Sequence, residues 1–174
     1  MSAVRLFGIT GKKFSGKDTS VSHLPSYILR YSFAGPLKDE LQKVFSLTDA
    51  QLNDPTQKEL IDERYGKSPR QLMQWYGTDV VRKIDEDYWI KRFLKFYNSH
   101  DSSVKIIVTD VRFPNEANTI RSLGGEIIQV SRANCIGDDN HESEQGGFVP
   151  DKVVYNDGTI EELQSKINAI LKVS

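Results

Sequence analysis

Residues 4–20 read VRLFGITGKKFSGKDTS, and this stretch decides the fold. The apolar run at residues 4–10 predicts a first β-strand, and Ser15 to Leu24 predicts the helix that follows it. Residues 11–17 between them match G-x-x-x-x-G-K in the strand–turn–helix context that this pattern requires. In such a turn the glycines let several backbone N–H groups point at one anion, and the helix N-terminus adds partial positive charge. The stretch therefore predicts a phosphate-binding loop.

This loop supplies the groups that would hold a nucleotide. Lys17 is expected to reach the β- and γ-phosphates. The alternative is a flexible turn in which Lys12, Lys13 and Lys17 are merely solvated. The predicted nucleotide-binding residues of the stretch are Gly11, Lys13, Ser15, Gly16, Lys17, Asp18 and Thr19.

Asp18 departs from the usual pattern, in which a Ser or Thr that ligates Mg²⁺ follows the lysine. A carboxylate at this place suits Mg²⁺, either directly or through a water molecule. Thr19, one residue later, could supply the hydroxyl instead. Asp18 could also be only a first-turn acid that favours the helix dipole. We predict a metal-related role for Asp18.

Strands and helices alternate beyond the loop. Further strands are predicted at residues 27–33, 104–110, 126–131 and 152–155, and helices are expected to begin near Pro36, Pro69, Pro114 and Thr159. Five strands joined by crossover helices predict an α/β fold in three layers, with a mostly parallel five-stranded sheet. We predict one domain over residues 1–174.

Two segments interrupt this alternation. Residues 49–98 contain no convincing strand and carry apolar residues at helical spacing, so we predict a helical insert at about residues 34–98. Residues 133–150 are polar and contain glycine, which favours a surface loop or lid.

The composition excludes several classes of protein. With 174 residues, 38% of them apolar, the chain can bury a core and is neither collagen-like nor wholly disordered. Lys plus Arg number 23 against 24 for Asp plus Glu, which argues against a general nucleic-acid coat. Cys135 is the only cysteine, so a disulfide within the chain is excluded. There is no apolar run near the roughly 18 residues of a membrane span and no apolar leader, so we expect a cytoplasmic protein.

The predicted strand at residues 104–110 ends in an acidic residue. Asp110 closes the run at residues 106–110 and is expected to orient Mg²⁺ or its water shell beside the loop, although turns also favour Asp. Arg112 follows at the carboxyl edge of the sheet, where ligands bind in open α/β folds. It could make bidentate contacts with phosphate. The alternative for Arg112 is a surface salt bridge with Glu116.

Several segments together resemble a known family. They are GKKFSGKDT (11–19), FAGPLK (33–38), SPRQLMQWYGTDVVR (68–82), DYWIKR (87–92), TDVRFPNE (109–116) and HESE (141–144). In this order they are similar to deoxynucleoside monophosphate kinases of the type carried by bacteriophages and large DNA viruses. The resemblance implies a P-loop kinase fold and phosphoryl transfer from ATP to a deoxynucleoside monophosphate, with Mg²⁺. It does not indicate which base is accepted.

The resemblance also gives the helical insert a role, because such kinases need a pocket for the acceptor. Lys38, Arg70 and Arg82 are cations suited to its phosphate, whereas the alternative is a solvated helix face. The other predicted acceptor-binding residues are Gln74, Trp75, Thr78, Trp89 and Arg112. For the tryptophans the alternative is core packing, which helical spacing favours.

The last candidates lie at the ends of two strands. Arg132 opens the predicted lid, which would exclude water from the phosphates, and is a candidate phosphate contact. Asn156 stands where adenine edges are read in this fold, or in an ordinary turn. The motif at 141–144 has no role that we can derive. The predicted catalytic residues are thus Lys17, Asp110, Arg112 and Arg132, and the predicted metal ligands are Asp18 and Asp110.

Two other functions stay open at this point. A different small-molecule kinase on the same fold, of the phosphomevalonate kinase kind, would also use the phosphate loop. A non-catalytic nucleotide-binding module would bind ATP without turnover. The expected partners are small nucleotides, and a homodimer is left open.

Overall fold

The computed structural model describes residues 5–133 and 147–173 of the chain. Within these ranges the strands are β1 (Leu6–Thr10), β2 (Leu29–Tyr31), β3 (Ile106–Val108), β4 (Glu126–Ser131) and β5 (Lys152–Tyr155). They form one sheet in the order β2-β3-β1-β4-β5, and every neighbouring pair is parallel. The predicted five-stranded sheet is confirmed, although β2 and β3 are shorter than the predicted strands at residues 27–33 and 104–110.

The chain divides into two units. One consists of Met1–Ser32 and Tyr97–Ser174 and contains the sheet, and the other is Phe33–Phe96. The bounds of the second unit lie within two residues of the helical insert that the sequence predicts.

Helices cover both faces of the sheet. Side chains of β1 point alternately to one face and to the other, so each face has apolar side chains against which a helix can pack. Phe7 and Ile9 lie in an apolar cluster on one face. Helices α1 (Lys17–Ser22) and α7 (Ile160–Leu171) contribute to that cluster through Val21, Leu163, Ile167 and Leu171. On the other face, a Cβ atom on Gly8 would lie 2.9 Å from Ile120 Cδ1 of α6 (Pro114–Ser122), so α6 packs closely on β1. The predicted three-layer architecture is confirmed.

The second unit is helical. Its elements are α2 (Ala34–Phe45), α3 (Asp49–Asn53), a 3₁₀ turn (Gln57–Glu59), α4 (Pro69–Gln74), a π-helical segment (Trp75–Arg82) and α5 (Tyr88–Asn98). Leu41, Leu47, Leu52 and Leu72 form its core. Between residues 33 and 96, the only strand-like pairing is an isolated bridge between Asp62 and Lys67.

Helix starts in this unit and in α7 follow the predicted signals. The Ser68 hydroxyl accepts from the backbone N–H of Gln71, and Pro69 occupies the first helical position. Thr159 and Glu162 form the predicted capping box of α7. Helices α2 and α7 have 12 residues each, and no helix in residues 5–133 and 147–173 is long and apolar enough to cross a membrane.

Candidate active site

The loop after β1 has a backbone that only glycine can supply at two positions. Gly11 has φ 145°, and a Cβ atom there would lie 2.3 Å from the carbonyl oxygen of Val130. Gly16 has φ 98°, and its Cβ atom would lie 2.5 Å from Asn156 Nδ2. Both glycines of the predicted pattern are therefore required by conformation and by space.

The tip of the loop is strained at a residue other than glycine. Phe14 adopts φ 63° in the left-handed region, and its side chain is 69% exposed. The Lys13 ammonium lies 5.1 Å from the centre of the Phe14 ring. A strained backbone conformation persists only where the surrounding structure enforces it, and such conformations cluster at ligand-binding loops.

Lys17 folds back across the loop from the first turn of α1. Its Nζ donates to the carbonyl oxygens of Gly11, at 2.6 Å, and Lys12, at 2.8 Å. The ammonium thus lies beside the loop backbone, where the sequence pattern predicts a phosphate-binding cation.

Ser15 carries a buried hydroxyl in the same loop. The residue is 1% exposed, and its Oγ has no hydrogen-bond partner in the part of the chain that the structure describes. A buried polar atom left in this state costs about 1–3 kcal/mol. Because native proteins rarely tolerate such atoms, the hydroxyl points to a ligand or an ordered water molecule.

Asp110 lies at the carboxyl edge of the sheet, beside the start of the phosphate loop. The parallel register pairs Gly8 with Val108, and the backbone N–H of Val111 donates to the Ile9 carbonyl oxygen at 2.9 Å, so Asp110 lies beside the end of β1. One carboxylate oxygen, Oδ2, accepts a hydrogen bond of 2.7 Å from Ser32 Oγ. Sequence reasoning missed Ser32. Its only signal is its place just after β2, at the same edge of the sheet.

Arg112 contacts Glu116 through its backbone. Glu116 is 2% exposed, and its Oε2 accepts from the backbone N–H groups of Arg112, at 2.8 Å, and Phe113, at 3.1 Å. The carboxylate thereby caps the start of α6.

Asn156 follows β5 and contacts the phosphate loop directly. Its Nδ2 donates to the Ser15 carbonyl oxygen at 2.9 Å, and its backbone N–H donates to Ser131 O at 2.7 Å. Arg132 follows Ser131 and is exposed. Three side chains thus follow the carboxyl ends of the parallel strands β3, β4 and β5, namely Asp110, Arg132 and Asn156, and Asn156 contacts the loop. The predicted lid motif, His141–Glu144, lies outside the described residues, as does Cys135.

The predicted acceptor cations lie in the helical unit with polar partners. Lys38 Nζ donates to Asn53 Oδ1 at 2.7 Å. Arg70 Nε forms a 2.6 Å ion pair with Glu59 Oε1. Arg82, at the end of the π-helical segment, is half-buried.

The aromatic and polar candidates of this unit differ in exposure. Trp75 is 41% exposed and makes an edge contact with Phe45, whereas Trp89 is 4% exposed and its indole N–H donates to the carbonyl of Gly77 at 3.0 Å. Thr78 is buried and Gln74 half-buried. Trp89 therefore lies in the core of the helical unit, and Trp75 offers the more accessible ring.

A polar cluster around Glu40 was not predicted. Its carboxylate accepts from the hydroxyl groups of Tyr76, at 3.2 Å, and Tyr88, at 2.8 Å, and from the Arg92 guanidinium. Burial, and then the Glu40 charge, raise the pKa of Tyr76, so its hydroxyl stays a donor. Tyr88 and Arg92 belong to the segment DYWIKR at 87–92, which was the only sequence signal.

The carboxylates fit Mg²⁺ bound together with a nucleotide, not a protein-only metal cage. In residues 5–133 and 147–173, no three His, Cys, Asp or Glu side chains form a metal-ligand group. Mg²⁺ usually takes one or two carboxylates and completes its shell with water and substrate phosphates. Asp110 at the sheet edge and the exposed Asp18 on the first turn of α1 offer oxygen donors of this type.

Two solved structures with a similar fold are named as kinases. Dephospho-CoA kinase from Campylobacter jejuni superposes with a TM-score of 0.55 at 13% identity, over 98% of this chain and 96% of that one. A sugar kinase from a Janibacter species superposes with a TM-score of 0.52 at 13% identity, over 99% and 96% of the two chains. At this identity the likeness concerns the fold alone.

Sequence relatives give the family. A protein of Acanthamoeba polyphaga mimivirus, provisionally named a deoxynucleotide monophosphate kinase, is 34% identical over 180 residues, or 93% of each chain. The deoxynucleotide monophosphate kinase of Enterobacteria phage T4 is 28% identical over 243 residues, or 98% of this chain and all of the phage protein. The profile of the deoxynucleotide monophosphate kinase family matches residues 49–167. With the phosphate loop and the sheet-edge residues described above, these matches establish that the chain belongs to the deoxynucleotide monophosphate kinase family.

Proposed function

We propose that the protein transfers the γ-phosphoryl group of ATP to a deoxynucleoside 5′-monophosphate, giving the diphosphate and ADP. The observation that carries this proposal is the preformed phosphate loop with Lys17, in a chain of the deoxynucleotide monophosphate kinase family. The buried Ser15 hydroxyl supports the proposal, because it has no hydrogen-bond acceptor among the described residues and a phosphate oxygen would supply one.

The donor triphosphate binds against the loop and α1. Backbone N–H groups of the loop surround its phosphates, and the Lys17 ammonium exchanges the carbonyl oxygens of Gly11 and Lys12 for phosphate oxygens. This exchange is favourable because a charged phosphate is a stronger acceptor for an ammonium than a neutral carbonyl is.

Arg112 and Arg132 complete the neutralisation of the transferring group. Both follow strand ends at the carboxyl edge of the sheet, where ligands bind in open α/β folds. The acceptor phosphate is itself the nucleophile and is largely ionised near neutral pH, so the chain needs no strong general base. Catalysis then rests on alignment and on the stabilisation of developing charge.

Asp110, with Asp18 or Thr19, would hold Mg²⁺ in this scheme. The Ser32 hydroxyl fixes the Asp110 carboxylate in place. When bound, Mg²⁺ would neutralise part of the charge on the phosphates of ATP.

The helical unit binds the acceptor. Lys38, Arg70 and Arg82 supply positive charge for its phosphate, and Gln74 and Thr78 supply hydrogen bonds for its base or sugar. Trp75 supplies the ring on which a base can stack, since Trp89 is enclosed by the core and uses its N–H within the unit.

A screen of acceptors tests this function. Release of ADP from ATP and Mg²⁺ would be measured with each deoxynucleoside monophosphate, each ribonucleoside monophosphate, phosphomevalonate or no acceptor. We expect ADP release that depends on a nucleoside monophosphate. Release with phosphomevalonate alone would assign another kinase activity, and binding of ATP without ADP release would assign a nucleotide-binding module.

Two further expectations belong to this proposal. We expect the protein to act in the cytoplasm on free nucleotides, without nucleic acid or membrane as a partner. The question of a homodimer stays open, and light scattering on the purified protein would answer it by comparison with the mass of a single chain.

A further inference from the structure

Asn156 joins three separate parts of the sheet unit, although its sequence context is that of an ordinary turn. The side-chain amide donates to Ser15 O of the phosphate loop at 2.9 Å. The backbone N–H of the same residue donates at 2.7 Å to Ser131 O, the last residue of β4. Asn156 itself follows directly on β5. The loop is thus tied to the ends of two strands through one residue.

The hydrogen bond to Ser15 O fixes the direction of the next N–H group. A trans peptide is planar, and its C=O and N–H point in opposite directions. Because the Ser15 carbonyl points at Asn156, the Gly16 N–H of the same peptide must point away from Asn156. A peptide turned the other way would present a carbonyl oxygen where a phosphate-binding loop needs a donor.

The Asn156 side chain also fills the space beside Gly16. A Cβ atom on Gly16 would lie 2.5 Å from Asn156 Nδ2 and 3.5 Å from its Cγ. The amide therefore packs directly on the glycine as well as bonding to the preceding carbonyl. Contact and hydrogen bond together restrain the Ser15–Gly16 peptide, whose φ of 98° at Gly16 is accessible to few other residues.

We infer that Asn156 is a positioning residue that holds the Ser15–Gly16 peptide with its N–H directed to the phosphates of the bound nucleotide. The inference rests on the proposed function, since it needs a nucleotide triphosphate as the ligand of the loop. It differs from both roles that the sequence left open for this residue, a reader of the adenine edge and an ordinary turn residue. A clamp on the loop acts on the phosphates, so its loss weakens every triphosphate equally. A reader of the base acts on adenine nucleotides alone.

The test compares Asn156→Ala with Asn168→Ala as a matched control. Asn168 is also a half-buried asparagine of the sheet unit with a side-chain hydrogen bond, 2.8 Å to His23, but it does not contact the loop. Dissociation constants for ATP, GTP and inorganic tripolyphosphate would be measured by calorimetry, and KM for the acceptor by steady-state kinetics. We expect Asn156→Ala to weaken all three ligands by a similar factor, about 3- to 10-fold for one neutral hydrogen bond. The acceptor KM should stay within twofold, and Asn168→Ala should leave the dissociation constants unchanged.

Asn156→Asp gives an independent readout with the side-chain size preserved. Its carboxyl group can donate to Ser15 O only when protonated, and an ordinary Asp has a pKa of about 3.9. The Ser15 carbonyl oxygen beside it accepts a hydrogen bond only from the protonated carboxyl group, which favours the protonated form and raises that pKa. The affinity for tripolyphosphate, relative to the wild type at each pH, should therefore be lowest at pH 8 and recover as the pH falls toward 5. The ionised carboxylate also repels the phosphates, so Asn156→Leu, which has a similar size but neither a charge nor a donor, is measured beside it. Affinity as low as that of Asn156→Ala at every pH supports the hydrogen bond, whereas wild-type affinity would show that packing alone is needed.

Each remaining outcome decides against the inference. Loss of ATP affinity with GTP and tripolyphosphate unaffected would assign Asn156 to the adenine base. Unchanged affinity for all three ligands would show that the loop holds its shape without the clamp. A wild-type protein that binds none of the three would overturn the proposed function itself. If Asn156→Ala does not fold, Asn156→Leu is compared with the wild type in its place.

Discussion

Lys17 is the side chain on which turnover should depend most. Lys17→Ala should lower kcat by about 100-fold or more, by analogy with the loss of one donor to transition-state charge. The fold should survive, because the ammonium contacts the exposed loop and not the apolar core. Steady-state kinetics and thermal unfolding measure the two effects.

Lys12→Ala is the control for this prediction, since Lys12 is exposed and lies in the same loop. It should keep near-normal kcat, because its part in the contact with Lys17 is through its backbone carbonyl. A folded Lys17→Ala protein with the turnover of the control would remove the phosphate-loop assignment.

The dependence of the rate on Mg²⁺ should distinguish the roles of Asp110 and Asp18. Asp110→Asn should abolish turnover or raise the Mg²⁺ concentration for half-maximal rate, because it removes the charge that Ser32 holds at the sheet edge. Asp18→Asn should do the same if Asp18 serves the metal. If it serves only the helix dipole, it should instead lose about 0.3–1 kcal/mol of stability and little activity. Titration of the rate with Mg²⁺, beside chemical unfolding, decides between them.

Among the helices, the ion pair between Arg70 and Glu59 allows a test of the acceptor site. A charged hydrogen bond to phosphate is worth about 1.5–3 kcal/mol, so Arg70→Ala should lower kcat/KM for the acceptor by about 10- to 150-fold. The KM for ATP should change much less. Arg82→Ala should act in the same way.

Glu59→Gln is the matched variant, because it breaks the same ion pair but leaves the Arg70 cation in place. It should lower the acceptor KM or leave it unchanged. If Arg70→Ala and Glu59→Gln both raise the acceptor KM to the same extent, the pair itself is what matters, and the acceptor phosphate lies elsewhere.

The turn between the 3₁₀ segment and α4 should make the stability of the helical unit sensitive to acid. Asp62 is buried and binds Arg64 through both carboxylate oxygens, and these hydrogen bonds hold its pKa well below the ordinary value. A depressed pKa in the folded state stabilises the fold above the unfolded-state value, about 3.9 for Asp, and this gain is lost as the pH falls below it. Asp62→Asn should therefore lower Tm at pH 7, by an amount that shrinks below about pH 4.

Asp85→Asn is the control, since Asp85 pairs with the exposed Lys91. Exposed ion pairs contribute little to stability, so its effect on Tm should be smaller at every pH. Equal effects of the two variants at pH 7 would show that the Asp62 turn carries no special share of the stability.

Local sequence patterns were sufficient for much of the architecture. Strands β4 and β5 have the predicted bounds, because each is a short run of apolar and branched residues between turn signals. The π-helical segment was not distinguished from an α-helix. In this segment Gly77 lies close to Leu37, and its carbonyl oxygen accepts a hydrogen bond from the Trp89 indole N–H. Both are contacts with residues outside the segment, so the local pattern does not encode them.

The site was predicted where one segment carries it and missed where distant residues meet. The glycines and Lys17 lie within seven residues, so their pattern is visible in the sequence. Ser32 and Asp110 are 78 residues apart, Asn156 and Ser15 are 141 apart, and Glu40 and Arg92 are 52 apart. No local periodicity encodes such pairs, because the topology of the sheet and the packing of the helices bring them together.

The enzyme as a whole should prefer deoxyribose. If the sugar packs near the exposed ring of Trp75, a ribose hydroxyl would be buried without a partner, which costs about 1–3 kcal/mol. Deoxynucleoside monophosphates should then exceed ribonucleoside monophosphates by about 5- to 150-fold in kcat/KM. Trp75→Ala should narrow this ratio. Equal rates with both sugars in the wild type would leave a general nucleoside monophosphate kinase.

Transfer of label from [γ-³²P]ATP tests the proposed reaction most directly. The protein would be incubated with labelled ATP, Mg²⁺ and each deoxynucleoside monophosphate in turn, and the products separated by chromatography. The account predicts label in the deoxynucleoside diphosphate in equal amount to the ADP formed, and a rate of labelling lower by about 100-fold or more with Lys17→Ala. Label found only in inorganic phosphate, or ADP formed at the same rate without an acceptor, would contradict it.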